Sequence, residues 1–223
     1  MRVVIDNEPL TGSPRSIAEA LGAARLNAER RGRVVIEALL DGVPLRDAEI
    51  SDPSTSPRTG GEMRFATADP RELVSATLLG VADSLEDVKE AQRAAAELLT
   101  VGKMSEAMDH LHHSLRAWEG VRQAVIDGTT LMGMSVETLR VATPGGERAM
   151  AEQVKSLAGC LGEVKRAFGA EDWSGLADML GYDLQEQAES WRITLAGLAE
   201  QVRAAGQASV PASVPVAPPD RTR

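Results

Sequence analysis

Aromatic residues are scarce in this chain: three Trp, two Phe and one Tyr make up 3% of 223 residues. A sequence so short of rings must fill its interior with aliphatic and alanine contacts, which suits packed helices. It also offers few of the stacking platforms that single-stranded nucleic acids need. Cysteine is rarer still. Cys160 stands alone, which excludes an internal disulfide, and no histidine lies near it in sequence. The nearest cations, Lys155, Lys165 and Arg166, are several residues away, so a packed thiol is expected rather than a nucleophile. No apolar run approaches the roughly 18 residues of a membrane span. The amino-terminal Met1-Arg-Val-Val-Ile-Asp6 reaches polar residues too soon to act as a signal peptide, and a reducing, cytoplasmic setting is the expectation. The glycines form neither a G-x-x-x-x-G-K-[ST] loop nor a G-x-G-x-x-G after a strand, which disfavours a nucleotide-binding enzyme.

Positive charge is also in short supply. The formal net charge is −9, with 9 basic and 10 acidic residues in 1–68, 13 and 22 in 69–203, and 2 and 1 in 204–223. The excess sits on the later part of the chain, which would repel phosphate backbones, so no nucleic-acid partner is expected.

What is present divides the chain into α+β and helical parts. Val3 to Ile5 is a short β-branched run ending at Asp6-Asn7, and Arg33 to Leu40 is a longer one closed by Asp41-Gly42, a tight-hairpin pair. Between them, Ser16 and Glu19 have capping-box spacing, and Ile17, Leu21, Ala24 and Ala28 recur at helical steps before Gly32. After the polar stretch 51–61, Met63, Phe65 and Thr67 alternate as one face of a last strand. Residues 1–68 therefore read as a small α+β domain, one helix on a short sheet.

Asp69-Pro70-Arg71-Glu72 then supplies a capping aspartate, a proline at the first helical position and a nearby glutamate. Val74, Leu78, Val81, Leu85, Val88, Gln92, Ala95 and Leu99 step by four and three along a helical seam that Gly102 ends. Met104, Met108, Leu111, Leu115, Trp118 and Val125 make a second seam. Beyond Thr143-Pro-Gly-Gly146, Met150, Val154, Leu157, Leu161, Val164 and Phe168 make a third, and Leu180, Leu184, Trp191, Leu195, Leu198 and Val202 a fourth. The first and third seams match at an offset of 69 residues: Leu85, Val88, Ala95 and Leu99 fall opposite Val154, Leu157, Val164 and Phe168. The offset continues with Leu111 opposite Leu180 and Leu115 opposite Leu184. The reading over 69–203 is an antiparallel four-helix bundle of two similar hairpins, 70–132 and 147–203. Residues 204–223 lose the periodicity, carry four prolines and are expected to form a disordered Pro/Ala-rich tail.

One segment could carry chemistry. All three histidines fall in Glu106-Ala-Met-Asp109-His110-Leu-His112-His113, where Glu106/His110 and Asp109/His113 have i,i+4 spacing. A metal- or small-molecule-binding bundle centred on Glu106, Asp109, His110 and His113 is thus the alternative reading. A di-iron bundle needs an acidic-x-x-His element on each of two helices. The offset partner of this stretch, Gly175 to Tyr182, has no histidine. The segment is half a site, a solvated polar face accounts for it, and no cofactor is expected. Methionines and helix glycines suggest surfaces able to repack against a varied partner. Trp173, Met179, Tyr182, Met132 and Met134 are the candidate partner contacts, with core packing the competing account of each. A non-catalytic protein-interaction module, an adaptor or chaperone-like protein with a protein partner, follows as the functional expectation, and self-association is compatible with it. In outline, a small bundle with a terminal Pro-rich segment is similar to bacterial export chaperones of the flagellar type. That is a likeness of architecture and transfers no residue.

Overall fold

The computed structural model describes residues 1–12, 14–53 and 61–207. The chain is mixed α+β and divides into two compact units, Met1–Leu73 and a second from Val74 onward. The tail expected over 204–223 lies outside the described residues from position 208, and so does most of the polar loop expected over 51–61.

The first unit contains strands β1 (Arg2–Ile5) and β2 (Glu8–Pro9), helix α1 (Ile17–Arg30), β3 (Val34–Leu40), β4 (Val43–Pro44), the short α2 (Asp47–Ser51) and β5 (Glu62–Ala68). The five strands form one sheet in the order β2-β1-β5-β3-β4. β1 runs parallel to β5 and the other pairs are antiparallel. Both tight turns are set by local chemistry. Asp6-Asn7 and Asp41-Gly42 adopt positive φ at both central positions, the conformation that matches the strand twist. Ser16 caps α1 by accepting from Glu19 N at 3.1 Å, while the Glu19 carboxylate reaches back to Arg15 N at 2.7 Å, one residue earlier than a standard capping box. Ile17, Leu21 and Ala24 of α1 bury against Val3, Ile5, Met63 and Phe65, so the alternation read in the strands is the core face of the sheet.

The second unit is dominated by α3 (Pro70–Thr100), α4 (Met104–Leu131), α5 (Met150–Gly169) and α7 (Leu184–Gln207), which contribute to one hydrophobic core. Asp69 Oδ1 accepts from Arg71 N at 2.8 Å and starts α3. Gly102, at φ +74°, turns the chain after α3. Gln92, a polar residue in the first seam, is fully buried. Its side-chain oxygen accepts from Trp118 Nε1 (3.0 Å) and Ser114 Oγ (3.2 Å), and its nitrogen donates to Leu184 O (3.3 Å). One amide thereby ties α3, α4 and α7 together, and its burial is compensated.

Three features depart from the sequence reading. Thr143-Pro-Gly-Gly146 is the turn of a β-hairpin, β6 (Arg140–Thr143) and β7 (Gly146–Ala149), whose Val141 is buried against α7. Gly197 permits that approach: a Cβ there would lie closer than 3.0 Å to Ala142 O and 3.0 Å from Val141 Cγ1. The helix expected after Asp172 begins as α6 (Trp173–Asp178), capped by Asp172 Oδ1 on Gly175 N at 2.9 Å, and passes through a π-helical turn (Met179–Asp183) before α7. The offset repeat is unequal in burial. Leu85, Val88, Ala95 and Leu99 are all buried, but Val154 is 40% and Phe168 45% exposed.

Candidate functional site

The two exposed seam positions share one surface with a third. Along α4, Met108, Leu111, Leu115 and Trp118 rise at steps of three and four; along α5, Val154, Leu157, Leu161, Val164 and Phe168 do the same. The rows face each other in opposite chain directions, so Met108 lies towards the Phe168 end and Ile126 towards the Val154 end. Between them are two cavities of about 460 and 350 Å³, whose linings share Leu115 and Leu161 and which therefore form one groove. Trp118, Val121, Leu157 and Trp191 are buried and line the larger cavity. Leu115 (38%), Ile126 (40%), Val154 and Phe168 stand exposed along its edges. The apolar rows are wider than the α4–α5 contact needs, and the surplus stays open.

The electrostatics of the groove are sparse. Glu119 and Arg122 neutralise each other in an ion pair on the α4 side, with Nη2 to Oε1 at 2.5 Å, and the guanidinium holds the carboxyl of Glu119 below its usual range. Lys165 lies at the Phe168 end and Glu137 at the Val136 end. Neither forms an ion pair among the described residues. Glu137 accepts a hydrogen bond from Ser135 Oγ, which lowers its pKa. The indole N–H of Trp191 is buried without a hydrogen-bond partner among the described residues. Such an omission costs about 1–3 kcal/mol.

The residues singled out from sequence lie elsewhere. None of Trp173, Met179, Tyr182, Met132 and Met134 lines the groove. Trp173 packs edge-on against Phe168, with ring centroids 5.9 Å apart. Met179, Met132 and Met134 are half-buried against the core. Tyr182 is 74% exposed on the π-helical turn, beside Gly181 and Ala96. In the histidine segment, Glu106 pairs with Lys103 at 3.2 Å, and His110 and His113 border a shallow depression with Asp87 and Glu90 of α3. Among the described residues no three His, Cys, Asp or Glu side chains are placed to hold a metal ion. Cys160 is half-buried; burial first, and then the carboxylates of Asp183 and Glu163, push its thiol up to about 11, so it stays protonated at neutral pH.

The sequence reading missed the groove because each seam was treated as wholly internal. The available signal was the excess: α4 and α5 each carry apolar residues beyond those that one neighbouring pair of helices can cover.

The second unit is thus a helical domain with an open apolar groove between two of its long helices. The chain belongs to the family described as Domain of unknown function (DUF8042), whose model matches residues 77–194, a span that contains the whole groove. Comparison with curated proteins and with solved structures gave no significant match. No helix among the described residues is long and apolar enough to cross a membrane.

Proposed function

We propose that the helical unit is an antiparallel four-helix bundle of two related hairpins and that it works as a non-catalytic protein-interaction module, adaptor or chaperone-like, in a reducing compartment. Its partner enters the α4–α5 groove. The observation that carries this reading is the exposure of Leu115, Ile126, Val154 and Phe168 along one continuous apolar concavity. Contiguous apolar surface rimmed by polar groups marks an interaction site, since covering it contributes roughly 25 cal/mol per Å². The unequal burial of the two hairpins supports the same reading. The first hairpin buries all four of its matching α3 positions, whereas the second leaves two of the four for something else to cover.

The test is site-specific photo-crosslinking in source cells. A photoreactive residue at Val154 or Ile126 should capture the same protein, and one at Tyr182 should not. Ala158→Glu, an exposed substitution in the groove wall, should abolish the capture. Capture from Tyr182 alone, or none from either groove position, would refute the reading.

A further inference from the structure

The shape of the groove and the chemistry of its walls restrict what can occupy it. Both walls are α-helices, whose backbone N–H and C=O groups are satisfied internally. An extended strand laid between them would find no backbone partners, whereas a helix brings its own hydrogen bonds with it. A second copy of this face is also concave, and two concave faces leave a void where a ridge is needed. A small apolar molecule could fill the cavity beside Trp118 and Trp191 but would leave Phe168 and Lys165 uncovered, since these lie along the second cavity. The groove extends about 27 Å along α4 from Met108 to Ile126, and about 21 Å along α5 from Val154 to Phe168, at 1.5 Å per residue.

Charge adds a second constraint. Glu119 and Arg122 cancel, so among the described residues the groove charges without an ion pair are Lys165 at one end and Glu137 at the other. Lys165 lines the second cavity together with His112, and Glu137 lines the first together with Val125 and Ile126. The interval from His112 to Ile126 corresponds to about 21 Å, or about 14 helical residues.

Resting on the interaction role proposed above, we infer that the occupant is one amphipathic helix of a partner protein, about four to five turns long. It carries an acidic side chain over Lys165 and a basic one about 14 residues away over Glu137. Its apolar residues recur at alternating three- and four-residue steps and cover Leu115, Val154 and Phe168.

Fluorescence anisotropy of labelled synthetic peptides against the full chain tests this. Three 18-residue peptides share leucines at alternating three- and four-residue steps and differ in two same-face residues placed 14 apart: Glu and Lys, Lys and Lys, or Glu and Glu. The mixed peptide should bind about three- to tenfold more tightly than either like-charged one at low salt. A composition-matched scramble should not bind. Lys165→Glu, on an exposed helix face, should transfer the preference to the Lys/Lys peptide, and Ala158→Glu should abolish binding by all three, with far-UV circular dichroism unchanged in both variants. Equal binding of the three peptides, an unaltered ranking with Lys165→Glu, or no peptide binding would overturn the inference, as would decanoate occupying the groove that the peptides leave empty. If the peptides fail while crosslinking from Val154 and Ile126 still captures a protein, only the helical identity of the occupant falls. Failure of both removes the interaction role as well.

Discussion

Gly197→Ala sets two effects of opposite sign against each other at one atom. Inside a helix, replacing glycine by alanine contributes about 0.8–1.0 kcal/mol of stability. At 197 the added methyl would lie closer than 3.0 Å to Ala142 O and 3.0 Å from Val141 Cγ1, where ordinary contacts begin near 3.4 Å. Part of the obstruction is backbone, so rotamer changes cannot relieve it, and either the β6–β7 hairpin or α7 must shift. Overpacking of this kind costs about 1–3 kcal/mol, occasionally more. Val141 is fully buried, so a displaced hairpin also loses apolar cover. The net expectation is a loss of about 1–2 kcal/mol, or a fall in Tm of about 2–8 °C for a chain of this size. Gly80→Ala is the internal control. It lies in the interior of α3 where, among the described residues, nothing beyond its own helical turns comes within 4 Å of the new methyl, so it should stabilise by about 0.5–1 kcal/mol. Thermal melts followed by circular dichroism at 222 nm read both. If Gly197→Ala raised the Tm as Gly80→Ala does, the hairpin could not be seated on α7 as described.

Leu180→Ala, at a fully buried position in the π-helical turn, should cost about 2–5 kcal/mol in urea titrations, whereas His112→Ala, at an exposed position on the edge of the groove, should stay within about 0.5. Glu189 is held at about 2, from an ordinary value of 4.5, chiefly by its hydrogen bond to Arg192 and also by that to Lys89. Because the folded-state pKa is depressed, its contribution is present above about pH 4.5 and fades as the pH falls towards 2. Glu189 is 41% exposed, so solvent screening limits that contribution to about 1 kcal/mol; wild type and Glu189→Gln should differ by this amount at pH 6 and converge by pH 2. Cys160 should react slowly with iodoacetamide at pH 7.5 and rapidly in denaturant, because folding raises its thiol to about 11; equal rates would show that the thiol is not held as described.

Most elements were legible because they rest on local chemistry. Asp6-Asn7 and Asp41-Gly42 accept positive φ, Ser16 and Asp69 cap helices, and the seam residues of α3 other than Val81 are buried as their spacing requires. The β6–β7 hairpin was not legible. Its two four-residue strands are too short to show a period, and what holds them is Gly197, some 50 residues later in sequence. The π-helical turn left no periodic mark either, since one extra residue in a turn resembles a small irregularity of the seam. The groove was half legible. Leu111, Leu115, Trp118, Val125, Val154, Leu157, Leu161, Val164 and Phe168 stand in the seams, whereas Val121, Ile126, Val136 and Ala158 fall outside them, and periodicity reports only which residues share a face and says nothing of whether that face is covered.

The placement of α7 has a consequence for the order in which the protein is made. Its Leu184, Trp191, Leu195 and Leu198 are among the largest fully buried side chains, and it carries the glycine on which the earlier hairpin rests. During synthesis, at about 5–20 residues per second, α3, α4 and α5 leave the ribosome before the helix that completes their core. Throughout that interval their inner faces are exposed, and the larger cavity of the groove still lacks the Trp191 that α7 brings to it. A nascent chain of this protein is therefore stickier than the finished one, and whatever shields it must leave for α7 to dock.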